Sequence, residues 1–189
     1  RGRHQGQLRM NVVYAQESLE QFRELGYRNT IFLAGPTPRA SLPLRYKVGD
    51  AEHTKPYPSW RPEALGCLRE VGFNGTVFVP EALDGTWNEN YDAQVEWELE
   101  ALFGCEVPLF WLGFKFPEMP GLTTRTEFGM VLSQKHYMVV GIPRWAERVS
   151  YQRHLTKHRK DYTFSTLLGA CACAARICKD IIETERDER

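Results

Sequence analysis

Thr30-Ile31-Phe32-Leu33-Ala34 runs five residues without a charge and is followed at once by Gly35-Pro36-Thr37-Pro38-Arg39. Three further stretches share its character: Gly75-Thr76-Val77-Phe78-Val79, Val107-Pro108-Leu109-Phe110-Trp111-Leu112 and Tyr137-Met138-Val139-Val140-Gly141. Each is nearly continuous in β-branched, aromatic or other apolar residues and does not alternate, as expected of strands buried on both faces. Asn11-Val12-Val13-Tyr14 is a weaker fifth candidate, suited to an edge.

Helical patterns lie between these runs. Ser59-Trp60-Arg61-Pro62-Glu63 reads as a helix start, with Ser59 as N-cap and Pro62 in the first turn, continuing to Val71. Asn88 or Asn90 opens a second helix, in which Val95, Leu99, Leu102 and Phe103 keep the helical period. A third begins near Thr124 and carries Phe128, Val131 and Leu132. The most regular is the last, with Phe164, Leu167, Leu168, Cys171, Ala174, Ala175, Cys178, Ile181 and Ile182 on one stripe. Strands alternating with helices imply right-handed crossovers and a mostly parallel sheet in a three-layer α/β domain. Ligands of such sheets sit beyond the C-terminal strand ends, near the point where strand order reverses.

At 189 residues the chain suits one domain, residues 1–189. In this division 1–29 is an N-terminal extension with the edge strand, and 145–189 is a basic loop and C-terminal helix. Lys+Arg and Asp+Glu number 24 each, so no global field favours nucleic acid or an anionic membrane. Arg153 to Lys160 is locally basic, either a solvated face or a phosphate contact. The longest apolar stretch, Val107 to Leu112, is too short to span a bilayer, and Arg1 to Gly6 lacks the apolar segment of a signal peptide. Cys67, Cys105, Cys171, Cys173 and Cys178 form no CxxC pair, which fits reduced thiols packed as small hydrophobes in a cytoplasmic protein.

Two strand ends attract attention. Beyond Gly35 a Pro-rich stretch reaches Pro58, roughly twenty residues without periodicity, and loops of that length are usually functional or disordered. Arg39 and Arg45 lie in it, suited to an anionic or carbonyl group. Beyond the third strand comes Gly121-Leu122-Thr123-Thr124-Arg125-Thr126-Glu127-Phe128-Gly129. Here Glu127 has two readings. Thr124-x-x-Glu127 is the spacing of a capping box; alternatively, the carboxylate stands in the first turn of a helix aimed at the ligand crevice, where the dipole favours its ionised form. The second helix offers another acid. At 3.6 residues per turn Glu98 falls about 60° from Val95, on the flank of the apolar face beside Tyr91, whereas Glu100 falls about 140° away, toward solvent.

Taken together, Ile31 to Arg39, Ser59 to Ala64, Phe78-Val79-Pro80-Glu81, Tyr91 to Glu98 and Met119 to Gly129 resemble the nucleoside 2-deoxyribosyltransferase family, in particular its divergent branch. The segments appear in family order and cover about Thr30 to Pro143. The resemblance implies a flavodoxin-like three-layer sandwich with a mostly parallel, about five-stranded sheet. It implies Glu127 as nucleophile and Glu98 as the acid that helps place the base, with Gly35, Pro36, Thr37, Arg39, Tyr91, Thr124 and Arg125 binding substrate. The implied chemistry is cleavage or transfer of an N-glycosidic bond through a covalent glycosyl-enzyme, needing neither metal nor cofactor. The partners implied are a nucleoside or nucleotide, a free nucleobase, and a second copy of the chain in a homo-oligomer, simplest as a dimer. The small residues Gly169, Cys171, Ala172, Ala174, Ala175 and Cys178 would allow close helix approach there.

The chain departs from the family in two places. Better-known members carry an aspartate six residues before the nucleophile, where Gly121 stands, and many of the divergent branch carry Asn at the Arg125 position. Arg1 to Asn29 and Trp145 to Arg189 match nothing in the family. Sugar specificity and the choice between transfer and hydrolysis stay open, as do an N-glycosidase acting on NAD-type dinucleotides and a non-catalytic nucleotide-binding module in which Glu127 is only a cap. His154-x-x-x-His158 has helical ligand spacing but no evident third ligand, which favours solvated histidines.

Overall fold

The computed structural model describes residues 9–38, 44–48, 50–55, 57–83, 90–134, 137–158 and 162–187. The chain opens with β1 (Asn11–Tyr14), α1 (Glu20–Leu25) and β2 (Thr30–Ala34), then a hairpin of β3 (Leu44–Val48) and β4 (Ala51–Lys55). Next come α2 (Arg61–Glu70), β5 (Thr76–Val79), α3 (Tyr91–Gly104), β6 (Val107–Trp111), α4 (Leu122–Gln134) and β7 (Val139–Gly141). It closes with α5 (Ser150–Leu155), a 3-10 turn (Thr156–His158), β8 (Thr163–Phe164) and α6 (Leu167–Asp187).

The main sheet has six strands in the order β1-β5-β2-β6-β7-β8, and every pairing is parallel. Without β1, the remaining five run second-first-third-fourth-fifth in chain order, the flavodoxin-like arrangement. β1 adds the expected edge. The sixth strand, β8, has two residues and is too short to leave a periodic signal.

Each central strand divides its side chains between two apolar layers, which explains why the sequence does not alternate. Ile31, Leu33, Val77, Val79, Leu109, Trp111 and Val139 point to the layer of α2 and α6. Phe32, Ala34, Phe78, Phe110 and Val140 point to the layer of α1, α3 and α4. A fully buried Leu, Ile or Phe contributes about 1.5–3 kcal/mol, so these two layers dominate the stability of the domain.

α6 spends its apolar stripe inside the chain: Leu167, Ala170, Cys171, Cys173, Ala174, Ile177 and Cys178 are buried, while Leu168 is 42% exposed. Much of the small-residue surface expected to serve a second copy therefore packs against α2 and the sheet.

Several local readings are corrected. The stretch expected to lack periodic structure holds the β3–β4 hairpin, paired from Leu44↔Lys55 to Val48↔Ala51, with Gly49-Asp50 between the two strands in sequence. Gly-Asp is a hairpin signal; the ribbon escaped notice because it is highly polar and flanked by prolines. Ser59 is not the N-cap of α2: Trp60 is, and the Ser59 hydroxyl accepts the Arg61 N–H at 3.2 Å. Asn90, the second of the two candidates, does cap α3 by accepting the Ala93 N–H at 3.1 Å. α4 begins at Leu122, two residues before Thr124, so Thr124 and Glu127 do not form a capping box. α5 ends at Leu155, which takes His154 and His158 off a common helical face. Among the described residues no helix is long and apolar enough to cross a membrane.

Ile177→Ala should cost about 2–4 kcal/mol in urea unfolding, because it opens a cavity where α6 meets the sheet. Leu168→Ser on the exposed side of the same helix should change stability by less than about 0.5 kcal/mol. Equal losses from the two would mean that α6 owes its packing to something other than this sheet.

Candidate active site

β2 and β6 are neighbours whose chain connections leave in opposite directions, so a gap opens above their C-terminal ends. A cleft of about 330 Å³ lies there. Its walls come from the loop after β2, from Arg61 of α2, from Pro80 after β5, from α3, and from the Pro120–Thr124 entry to α4.

Two glycines shape it. A Cβ on Gly35 would lie 2.6 Å from the Trp60 ring and 2.7 Å from the Trp111 carbonyl, so only glycine lets the chain pass between them. Gly121 has φ +58° and backs onto Phe114, whose ring occupies the space a side chain would need. The aspartate of the better-known transferases therefore has no room at this position.

The two expected glutamates meet in this cleft. Glu127 is the sixth residue of α4 and 8% exposed, and its carboxylate takes part in none of the side-chain hydrogen bonds found among the described residues. Glu98 reaches the cleft from α3 and accepts a hydrogen bond from the Gln94 amide at 2.7 Å. The buried face of α3 is marked by Gln94, Ala101 and Leu102, which puts Glu98 near its middle and not on its flank. Glu100 is not simply solvated either. It holds Arg23 in a two-pronged pair at 2.6 Å and accepts the Tyr27 hydroxyl at 2.7 Å, tying α1 to α3.

Burial pushes Glu127 up to about 7; the neighbouring charge of Glu98 adds to this, and Arg61 opposes it. Glu98 is also raised, by burial first, with Gln94 and Arg61 pulling it down. This reverses the expectation of a helix dipole holding Glu127 ionised. Glu127 stands beyond the first turn, where the dipole has faded, and desolvation dominates.

Of the other expected substrate residues, Gly35, Pro36, Thr37, Tyr91 and Thr124 line the cleft, Tyr91 at its mouth with 71% exposure. Arg39 lies outside the described residues. Arg125 does not line the cleft. It turns behind the wall, donating from Nε to the Pro120 carbonyl at 3.2 Å and from Nη1 to the Arg148 carbonyl at 3.1 Å. Its guanidinium stacks 3.9 Å from the Phe114 ring centre, so it braces the loop behind the cleft.

Arg61 and Gln94 escaped the sequence reading. The signal for Arg61 was its place: a cation at the start of a helix opposes the dipole and needs another reason to be there. Gln94 precedes Glu98 by four residues, one helical turn on the same face. Among the described residues no group of three His, Cys, Asp or Glu side chains is placed to hold a metal ion. No protein-family model matches the chain, and no curated protein does.

Because Glu127 titrates higher folded than its ordinary value of 4.5, its ionisation destabilises the fold as pH rises from about 4.5 through about 7. Glu127→Gln should accordingly be more stable than the parent at pH 8, by up to about 3 kcal/mol, with the gap closing toward pH 4.5. Urea unfolding at the two pH values measures this directly.

Proposed function

We propose that this protein cleaves or transfers the N-glycosidic bond of nucleosides or nucleotides through a covalent glycosyl-enzyme on Glu127. The observation that carries the reading is the meeting of two carboxylates, Glu127 and Glu98, in one cleft at the C-terminal ends of a parallel sheet, with Glu127 raised to about 7. The resemblance of Gly121 to Gly129 and of Tyr91 to Glu98 to the deoxyribosyltransferases supports the same chemistry.

The Glu127 carboxylate attacks the anomeric carbon as the C–N bond breaks and its electron pair leaves with the base. Positive charge develops on the sugar between two acidic side chains, which favours the oxocarbenium-like state. Glu98 orients the base and gives it a proton; a second base then takes the sugar in transfer, or water does so in hydrolysis. Two like charges in so small a cleft resist ionising together, so the pair shares one proton near neutral pH. The higher titration of Glu127 favours a second arrangement of the same chemistry, in which Glu98 attacks and Glu127 is the acid.

A panel of nucleosides, nucleotides and NAD, with and without free bases, should reveal release or exchange of base, and Glu127→Ala should lower the rate about a thousandfold or more. A 2-fluoro-2-deoxy sugar substrate should leave an adduct on Glu127 by mass spectrometry. An adduct on Glu98 exchanges the two roles, and an inert panel sinks the enzyme reading, leaving a nucleotide-binding module.

Because the working pair carries one proton, kcat/KM should be bell-shaped in pH, its alkaline limb falling through a midpoint near 7 as the last proton leaves. Glu98→Gln removes both the acid and the neighbouring charge, so the alkaline limb should vanish, leaving a rise with pH through a midpoint below 7, while kcat falls about a hundredfold. Glu100→Gln should leave both unchanged, its effect confined to stability and below about 1 kcal/mol. Identical pH profiles in the parent and Glu98→Gln would show that the two carboxylates are not coupled.

A further inference from the structure

Arg61 is 2% exposed, the most deeply buried charged side chain among the described residues. Its guanidinium makes four hydrogen bonds. Nε donates to the Leu33 carbonyl at 3.1 Å, Nη2 to the Gly35 carbonyl at 2.8 Å, and Nη1 to the Thr37 hydroxyl at 3.1 Å and to Glu81 at 2.5 Å. The Ser59 hydroxyl donates to the Glu81 carboxylate at 2.9 Å, steadying the counter-ion. Trp60 lies alongside, its ring centre 5.1 Å from the guanidinium carbon. One side chain thus joins the end of β2, the loop after it and the loop after β5, which are neighbouring walls of the cleft.

Stability alone is a weak reason for such a residue. A buried ion pair often gains nothing over apolar side chains of similar volume, and a cation at the first position of a helix opposes its dipole. The arrangement has a second consequence. Among the described residues that line the cleft, Arg61 is the only cation, facing Glu98 from α3 and Glu127 from α4, with Glu81 as its counter-charge and Tyr91 at the mouth.

We propose that Arg61 is the positioning residue of the carboxylate pair: it fixes the Gly35–Thr37 wall against which substrate must lie, and it sets the charge balance under which Glu98 and Glu127 exchange their proton. The inference rests on the reading of the cleft as a carboxylate active site. Its physical content is a rigid positive charge that lowers both carboxylates and whose geometry only a planar, forked donor can satisfy.

The test reads the two carboxylates directly, by NMR of side-chain carboxyl carbons in the ¹³C-labelled full chain, alongside kcat and KM against pH. Arg61→Met should raise the titration of both glutamates by about one pH unit. Glu81→Gln should move them the other way, since it leaves the guanidinium charge uncompensated, and it decides the matter where Arg61→Met does not fold. Arg61→Lys keeps the charge but cannot reach carbonyls and hydroxyl together, so titration should hold while KM rises about tenfold. Carboxyl titrations that stay at the parent values in Glu81→Gln, or in a folded Arg61→Met, overturn the proposal. Titrations that move as stated in a chain that cleaves no glycoside uphold the role of Arg61 and refute the N-glycosidic reading alone.

Discussion

Everything in this domain follows from the burial of β2 and β6 on both faces. Their backbones are satisfied by parallel neighbours, and their side chains divide between two apolar layers. A sheet of this kind must be covered twice: α2, on the connection that runs one way along the strand order, lies on one side with α6, and α1, α3 and α4, on connections that run the other way, lie on the other. The change of direction falls between β2 and β6. The cleft is therefore a topological consequence of core burial, already present before any chemistry is placed in it.

That origin also accounts for the electrostatics. The cleft floor is the edge of the core, a poor solvent for charge, so carboxylates entering it from α3 and α4 are raised by desolvation before their mutual repulsion is counted. One guanidinium, anchored on strand and loop carbonyls, offsets this. The resulting pair has one member near 7, the range in which a carboxyl group can both lose and accept a proton at neutral pH.

The departures from the transferase pattern have local causes. Gly121 adopts a left-handed conformation against Phe114, which leaves no room for an aspartate at this position. Arg125 stands where Asn is usual in the divergent branch and braces the loop through Phe114, Pro120 and Arg148. These two changes belong together, since both act on the segment between β6 and α4. The wall of the cleft is held there by packing and by backbone contacts from behind, and its inner side is left to proline, glycine, leucine and threonine.

Apolar continuity in Thr30–Ala34 and its three companions was enough to give the parallel sheet, because burial on two faces leaves a pattern that needs no neighbours to read. Helical period likewise gave α3, α4 and α6; the angular position of Glu98 on α3 and the place of Glu127 in the segment after β6 marked them as candidates. Elements without an apolar signature were not legible: the polar β3–β4 hairpin and the two-residue β8 exist through their pairing alone. Only the tertiary structure decided which side of α3 is inward, that Arg125 faces away, that Arg61 reaches the cleft at all, and that Glu127 is raised instead of held ionised. Each of these depends on desolvation and on charges brought together from distant parts of the chain, and neither quantity has a value until the chain has folded.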